Sequence, residues 1–281
     1  MTTETLNQVS VPGATLHYEV SGSGPVLLLI SGGGTDAAAF DGVVPQLAEQ
    51  YTVVTYDPRG NSRSPYAREP LDERVDQAAE DALAVLDAAV GDVPAYVFGS
   101  SSGAITGMEL LVRHPDRVRL LVAHEPPAVE LLPDATSSRE FFLEVYDTYR
   151  LDGRAAADRL FYAGIGLDET DELPPLAELP PEFREVMERM DANTDVFYEH
   201  KLLPFISYRP DVAALVALED KIVPAVGSES SKVLPAEPIL ALSERLGWSV
   251  VAFPGGHGGY TSDPFEFATL LLRVLAGKVA R

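Results

Sequence analysis

The sequence predicts an α/β fold: a mostly parallel central sheet with helices on both faces and a helical insertion before its last strands. Three observations carry this. Short apolar runs alternate with helical periodicities up to His124. Residues 126–211 then lack a strand pattern. After them the alternation of strand and helix returns to the end of the chain.

The elements follow in order. Ala14–Val20 (ATLHYEV) alternates, as a half-buried strand does. SGSGP makes a turn. Val26–Ile30 is apolar throughout, which suits a strand covered on both faces. SGGGTD follows, then a short helix to Gln50. Tyr51–Tyr56 is β-branched and aromatic, hence a strand, and DPRGNSRSP is the loop after it. Leu71–Val90 is the clearest helix. Its apolar residues Leu71, Val75, Ala79, Leu83, Leu86 and Val90 recur every three or four positions, and Gly91 stops it. Ala95–Phe98 is a short buried strand, Ser102–Arg113 a helix ended by Pro115, and Val118–His124 the next strand.

The insertion contains the proline pairs Pro126-Pro127, Pro174-Pro175 and Pro180-Pro181, with amphipathic pieces at Phe141–Tyr149 and Phe183–Met190. Phe, Tyr, Leu and Met are too frequent there for disorder. Beyond it, Ile222–Val226 and Ser249–Phe253 are strands, and Ala236–Leu246 and Phe265–Leu275 are helices. The expected division is a core of residues 1–125 and 212–281 with an insertion of residues 126–211.

The composition excludes several classes. The chain has 281 residues, 46% of them hydrophobic, enough for a sizeable core. It has no cysteine, which excludes disulfides, thiolate metal sites and cysteine nucleophiles. No apolar run approaches a membrane span. The start, MTTETLNQVS, lacks a basic region followed by an apolar one, so the cytoplasm is the expected compartment. With 21 basic and 43 acidic residues the net charge is −22, which repels nucleic acid and anionic lipid surfaces. Pro126–Glu199 holds 18 acidic and 6 basic residues, a net −12 that reads first as a solvated surface.

Gly99-Ser100-Ser101-Ser102-Gly103 fits G-x-S-x-G. The pattern alone is weak, but here it follows an apolar strand and opens a helix, the setting of a nucleophile elbow. Ser101 is the candidate nucleophile. A serine hydroxyl needs a base. Of His17, His114, His124, His200 and His257, only His257 lies in a glycine-rich loop after the last strand, PGGHGGY. It is the candidate base. An oxyanion hole needs two N–H donors. Ser102 supplies one. Ser31-Gly32-Gly33-Gly34, after Val26–Ile30, corresponds to an HGGG-type loop with Ser31 in place of His. Gly33 is the first choice there and Gly32 the second.

The acid has two candidates. The turn after Ile222–Val226 reads Gly227-Ser228-Glu229-Ser230, with Ser230 where an Asp is common and Glu229 one residue early. Glu125, at the end of Val118–His124, can reach the histidine from the neighbouring strand and is preferred.

GSSSGA, AHEPP, DPRGNSRS and PGGHGGY together resemble the α/β-hydrolase superfamily, and within it the zearalenone lactone hydrolases. The resemblance spans the sheet, roughly residues 1–125 and 212–281. It implies a Ser-His-Glu triad with Glu in a His-Glu-x-Pro context, matched by His124-Glu125-Pro126-Pro127. It also implies that the insertion is a substrate lid. That family carries a lid tryptophan in Asn-x-x-Val-Trp. Here Asn193-Thr194-Asp195-Val196-Phe197 places Phe197 at that position, as a substrate contact.

The expected reaction is hydrolysis of a neutral ester or lactone through an acyl-serine, with zearalenone itself a candidate substrate. This chemistry calls for no metal and no organic cofactor. No nucleic-acid or membrane partner is expected, and a homodimer is left open. Two other classes share the fold: a non-hydrolytic enzyme such as a lyase, acyltransferase or perhydrolase, and a ligand-binding protein that turns over negligibly. Epoxide and haloalkane hydrolysis use an Asp nucleophile, and position 101 is Ser.

Overall fold

The computed structural model describes residues 7–167 and 181–278. Its strands are β1 (Gln8–Val11), β2 (Ala14–Gly22), β3 (Val26–Ile30), β4 (Thr52–Tyr56), β5 (Ala95–Ser100), β6 (Val118–His124), β7 (Ile222–Gly227) and β8 (Val251–Phe253). They form one sheet in the order β1-β2-β4-β3-β5-β6-β7-β8. β1 and β2 pair antiparallel, as do β2 and β4, and every later pairing is parallel.

The helices are α1 (Val44–Leu47), α2 (Val75–Val90), α3 (Ser102–Arg113), α4 (Thr136–Asp152), α5 (Arg154–Ile165), α6 (Pro181–Val196), α7 (Leu202–Ile206), α8 (Val212–Ala217), α9 (Glu237–Leu246), α10 (Gly259–Ser262) and α11 (Pro264–Leu275). One π-helical stretch, Phe197–Lys201, joins α6 to α7.

All five residues of β3 are buried, and the two-residue period divides them between two cores. Leu28 and Ile30 pack with Val85 of α2, Ile105 and Met108 of α3 and Leu242 of α9. Leu27 and Leu29 pack with Leu47 of α1 and Phe267 and Leu271 of α11. Burying each such side chain contributes about 1.5–3 kcal/mol before chain entropy is counted. A third cluster is formed by the chain that connects β6 to β7, where Phe142, Val145, Ala157, Tyr198 and Leu202 pack together. The insertion therefore has its own apolar core.

Several elements depart from the sequence expectation. The helix expected at Leu71 begins at Val75, because Arg74 is extended and the Glu73 N–H donates to the His200 carbonyl. Leu71 is 79% exposed, so its fit to the helical period was fortuitous. The single helix expected before Gln50 is two pieces, a 3₁₀ turn at Ala37–Phe40 and α1. β1 and α8 had no expectation, being too short to show a period. The piece expected at Phe183–Met190 belongs to α6. Pro174-Pro175 and Pro180 lie outside the described residues.

Candidate active site

The carboxyl ends of β3, β5, β6, β7 and β8 bring the predicted residues into one region. β5 ends and α3 begins at Ser101, whose φ of 56° is left-handed. The turn requires its glycines. A Cβ at Gly99 would meet the Gly103 carbonyl oxygen at 2.4 Å, and one at Gly103 would meet that of Ile30 at 2.2 Å. Strand and helix thus approach at a distance that only glycine permits. The Ser101 N–H is tied to the His124 carbonyl at 2.9 Å, while its hydroxyl caps nothing in α3. The side chain stays free for chemistry at a helix N-terminus.

Glu125 leaves β6 with φ 48°, another left-handed non-glycine residue, and is fully buried. Its Oε2 accepts from His257 Nδ1 at 2.5 Å, and its Oε1 accepts the Gly227 N–H at 2.6 Å. The acceptor at Nδ1 selects the tautomer that leaves His257 Nε2 unprotonated. Burial pushes the Glu125 carboxyl up, but the His257 hydrogen bond and the attraction of the His257 and His124 imidazoles in their protonated forms outweigh it, so the group sits below its ordinary range. The Ser230 hydroxyl, buried beside it, adds a smaller lowering effect without the geometry of a full hydrogen bond.

Glu229 is exposed, and its N–H is spent on the Gly255 carbonyl. The structure therefore gives His257 one carboxylate partner, Glu125, and the turn after β7 supplies a backbone N–H to it instead of an acid.

The loop after β3 lies against the elbow. A Cβ on Gly32 would sit 2.6 Å from Ser101 Cβ, so this position demands glycine. Gly33 has φ 57°, and its N–H, the first-choice oxyanion donor, donates to Ser102 Oγ at 2.8 Å. Ser31 is buried with an unpartnered hydroxyl and contributes no donor of its own to this arrangement.

A cavity of about 420 Å³ opens over these groups. Gly32, Gly33, Ser101, Ser102 and His257 lie along it, and Phe142, Phe161, Phe197, Met187, Met190 and Leu202 supply apolar walls. Of the nine aromatics from Phe141 to Tyr198, five line it, and Phe183 faces solvent at 61% exposure. Phe197 stands in the π-helical stretch, with its ring 5.6 Å from that of Phe161. Among the described residues, no group of three or more His, Asp or Glu is arranged to hold a metal.

Of the other histidines, only His124 touches this site, its ring stacked 6.4 Å from that of His257. His124 is enclosed by Phe98, Phe253 and Phe267, and burial pushes its pKa down to about 4. His114 contacts Glu80, His17 contacts Glu19 and His200 contacts Asp72.

Sequence reasoning missed the polar frame below the cavity. Asp57 accepts four hydrogen bonds, from Ala37 N, Arg63 N and the Arg63 guanidinium. Arg59 pairs with Asp81 through two 2.6 Å bonds. Lys201, buried, donates to the Arg59 carbonyl and Asn61 Oδ1 and lies 3.2 Å from Glu73. The polar density of DPRGNSRS was the available signal, since so many donors and acceptors between two strands must be satisfied locally.

A family model described as alpha/beta hydrolase fold matches residues 25–165. An uncharacterized hydrolase of Bacillus subtilis, YraK, is 38% identical over 94% of this chain and 93% of its own length. The chain belongs to the α/β-hydrolase fold family. A zearalenone hydrolase of Bionectria ochroleuca is 38% identical to this α/β-hydrolase over 44% of the chain and 48% of its own length. A solved esterase from Thermogutta terrifontis shares the fold at a TM-score of 0.74, with 18% identity and 98% of each chain covered. With relatives of this kind the chain is a hydrolase, and no described helix is long and apolar enough to cross a membrane.

Proposed function

We propose that this α/β-hydrolase cleaves a carboxylic ester or lactone through an acyl-serine. Ser101 is the nucleophile, His257 the base and Glu125 the acid that orients it. The contact between Glu125 and His257 carries the reading. A buried carboxylate held below its ordinary pKa and bonded to Nδ1 of a cavity histidine has one evident use, to hold that ring as a base.

Ser101 Oγ attacks the carbonyl carbon as His257 Nε2 takes its proton. The developing oxyanion is met by the N–H groups of Gly33 and Ser102. The tetrahedral adduct collapses, and His257 returns the proton to the leaving alcohol oxygen. Water, deprotonated by the same nitrogen, then attacks the acyl carbon, and as the acid leaves His257 returns that proton to Ser101 Oγ. In a lactone the leaving oxygen stays attached, so the product is a single hydroxy acid.

The substrate is a bulky, neutral molecule, with macrolactones such as zearalenone the leading class. Residues 126–211 act as its cap, over a core of residues 1–125 and 212–281. The 420 Å³ cavity is within the range of sites for drug-sized ligands. Its aromatic walls suit a flat apolar ligand, and the net −12 of Pro126–Glu199 disfavours anions.

A panel of p-nitrophenyl esters, simple lactones and zearalenone, incubated with the wild type and Ser101→Ala, tests both levels. Turnover that drops at least about 10³-fold in Ser101→Ala supports the acyl-serine route. Fast hydrolysis of small esters with no opening of zearalenone rejects the macrolactone.

A further inference from the structure

The loop carrying Gly33 is held by side chains, and the decisive one comes from the insertion. Asn193 of α6 is 3% exposed and uses its whole amide on this region. Its Nδ2 donates to the Gly34 carbonyl at 2.8 Å and to Ser62 Oγ at 2.9 Å, and its Oδ1 accepts the Ser62 N–H at 2.7 Å. Flipping the amide would set two donors against each other, so its orientation is fixed. The neighbouring carbonyls are held in parallel. Asn61 Nδ2 donates to Gly33 O and Thr35 O, and Lys201 Nζ donates to Asn61 Oδ1. Arg189, one turn before Asn193, reaches buried Asp36 at 2.7 Å, and Ser62 Oγ donates to the same Asp36 oxygen.

Helix α6 has two working faces. Met187, Met190 and Thr194 line the cavity. Arg189 and Asn193, at i and i+4, share a different face turned to the loop. Ser62 has φ 47°, and Asn193 is the acceptor that satisfies its N–H in this left-handed state.

We propose that Asn193 is a positioning residue for the oxyanion hole. By holding the Gly34 carbonyl and Ser62, it fixes the loop so that the Gly33 N–H, which rests on Ser102 Oγ at 2.8 Å, stays beside Ser101, within a small turn of the oxyanion. The oxyanion hole is therefore assembled by the insertion and the sheet together. This inference rests on the serine-hydrolase reading, with Gly33 as an oxyanion donor.

The geometry makes the effect selective. Asn193 touches the loop, so its loss displaces a donor that matters most when charge develops. A shift near 1 Å at such a donor costs on the order of 10² in rate. Asn193→Ala is expected to lower kcat about 100-fold on p-nitrophenyl butyrate and to change KM less than about threefold. Asn193→Asp keeps the acceptor for Ser62 N–H but turns an oxygen toward Gly34 O, so it is expected to lose at least as much.

Butylboronic acid supplies a readout that a merely structural role would not move. Ser101 Oγ bonds to boron, its proton passes to His257, and a boronate oxygen occupies the oxyanion hole. Its affinity is expected to fall in step with kcat. Binding of intact ester to Ser101→Ala is expected to be the same with and without Asn193→Ala. Should Asn193→Ala fail to fold, Arg189→Met, which removes the bond to Asp36, is expected to lower kcat about tenfold.

Wild-type rates in the folded variants overturn the proposal. So does an active Asn193→Asp, or a loss of ester binding equal to the loss in rate. Ser101→Ala, measured beside them, separates the two levels. If it retains the ester rate, the serine-hydrolase reading falls and the inference with it. If it is inactive while the Asn193 variants are unaffected, the positioning role alone falls.

Discussion

The Gly227 N–H and Glu125 Oε1 lie 2.6 Å apart, so the acid that grips His257 is itself gripped by the next strand. Glu125 follows the last residue of β6 and Gly227 ends β7, and the two strands are parallel neighbours in the sheet. With Oε1 on Gly227 and Oε2 on His257, neither oxygen is free to rotate away. A shorter acid on β6 cannot span both partners. Glu125→Gln is expected to lower kcat on the order of 10³- to 10⁴-fold, and Glu125→Asp also to lower it. Glu229→Gln, at an exposed position, is expected to stay within twofold of the wild type. Steady-state rates on one activated ester decide this, and a larger loss in Glu229→Gln moves the acid to the later turn.

A second prediction concerns the proposed oxyanion hole at rest. The Gly33 N–H donates to Ser102 Oγ at 2.8 Å and must leave that acceptor, or share it, when the oxyanion forms. A neutral hydrogen bond of this kind has a net worth of about 0.5–1.5 kcal/mol. Ser102→Ala removes the competing acceptor and keeps the residue 102 N–H. The expected result is a rise in kcat/KM of about 2- to 10-fold, measured on an ester whose acylation limits the rate. A tenfold fall would instead make the hydroxyl a third donor to the oxyanion.

His124 makes stability depend on pH. Its ring is buried among Phe98, Phe253 and Phe267, and desolvation holds its pKa near 4 against an ordinary 6.5. The unfolded chain takes up a proton as pH falls through 6.5, and the folded chain resists until about 4. Stability is therefore full above that window and declines as pH falls within it, by on the order of 3 kcal/mol. Glu125, with its depressed pKa, extends the loss below the ordinary carboxylate range. Urea denaturation at pH 7.5 and pH 5 is expected to give a lower midpoint at pH 5. His124→Phe, folded, is expected to reduce that difference, and an undiminished difference assigns the dependence elsewhere.

Much of this was legible in the sequence, for specific reasons. Val26–Ile30 could be read as a strand because five apolar residues in a row fit a doubly covered position. Ser102–Arg113 could be bounded because the elbow starts it and Pro115 follows it. Glu125 could be preferred because Ser230 leaves the ordinary acid position without a carboxylate. Long-range polar pairing was not legible. Asn193 meets Ser62 across 131 positions, and no local period records that bond. The start of α2 was misplaced because the tertiary bond from Glu73 to His200 overrides a periodicity that Leu71 happens to satisfy.

Phe197 is the test of substrate size. It lines the cavity, its ring is 5.6 Å from Phe161 and 5.3 Å from Tyr198, and it sits on the π-helical stretch just beyond α6. An aromatic contact with a flat ligand is worth about 0.5–1.5 kcal/mol beyond its area, or roughly 2- to 13-fold in affinity. A macrolactone with an aryl face gains this term, and a short acyl ester does not. Phe197→Ala is therefore expected to raise KM for zearalenone about tenfold and to leave p-nitrophenyl acetate within twofold. Phe197→Trp adds stacking area at the same place and is expected to lower KM for the macrolactone where the wider ring is accommodated beside Phe161. Lactone opening followed by chromatography, with both substrates run on each variant, gives the comparison. Equal effects on the two substrates would assign Phe197 to packing of the insertion, and unchanged kinetics in both variants would remove it from the substrate's path.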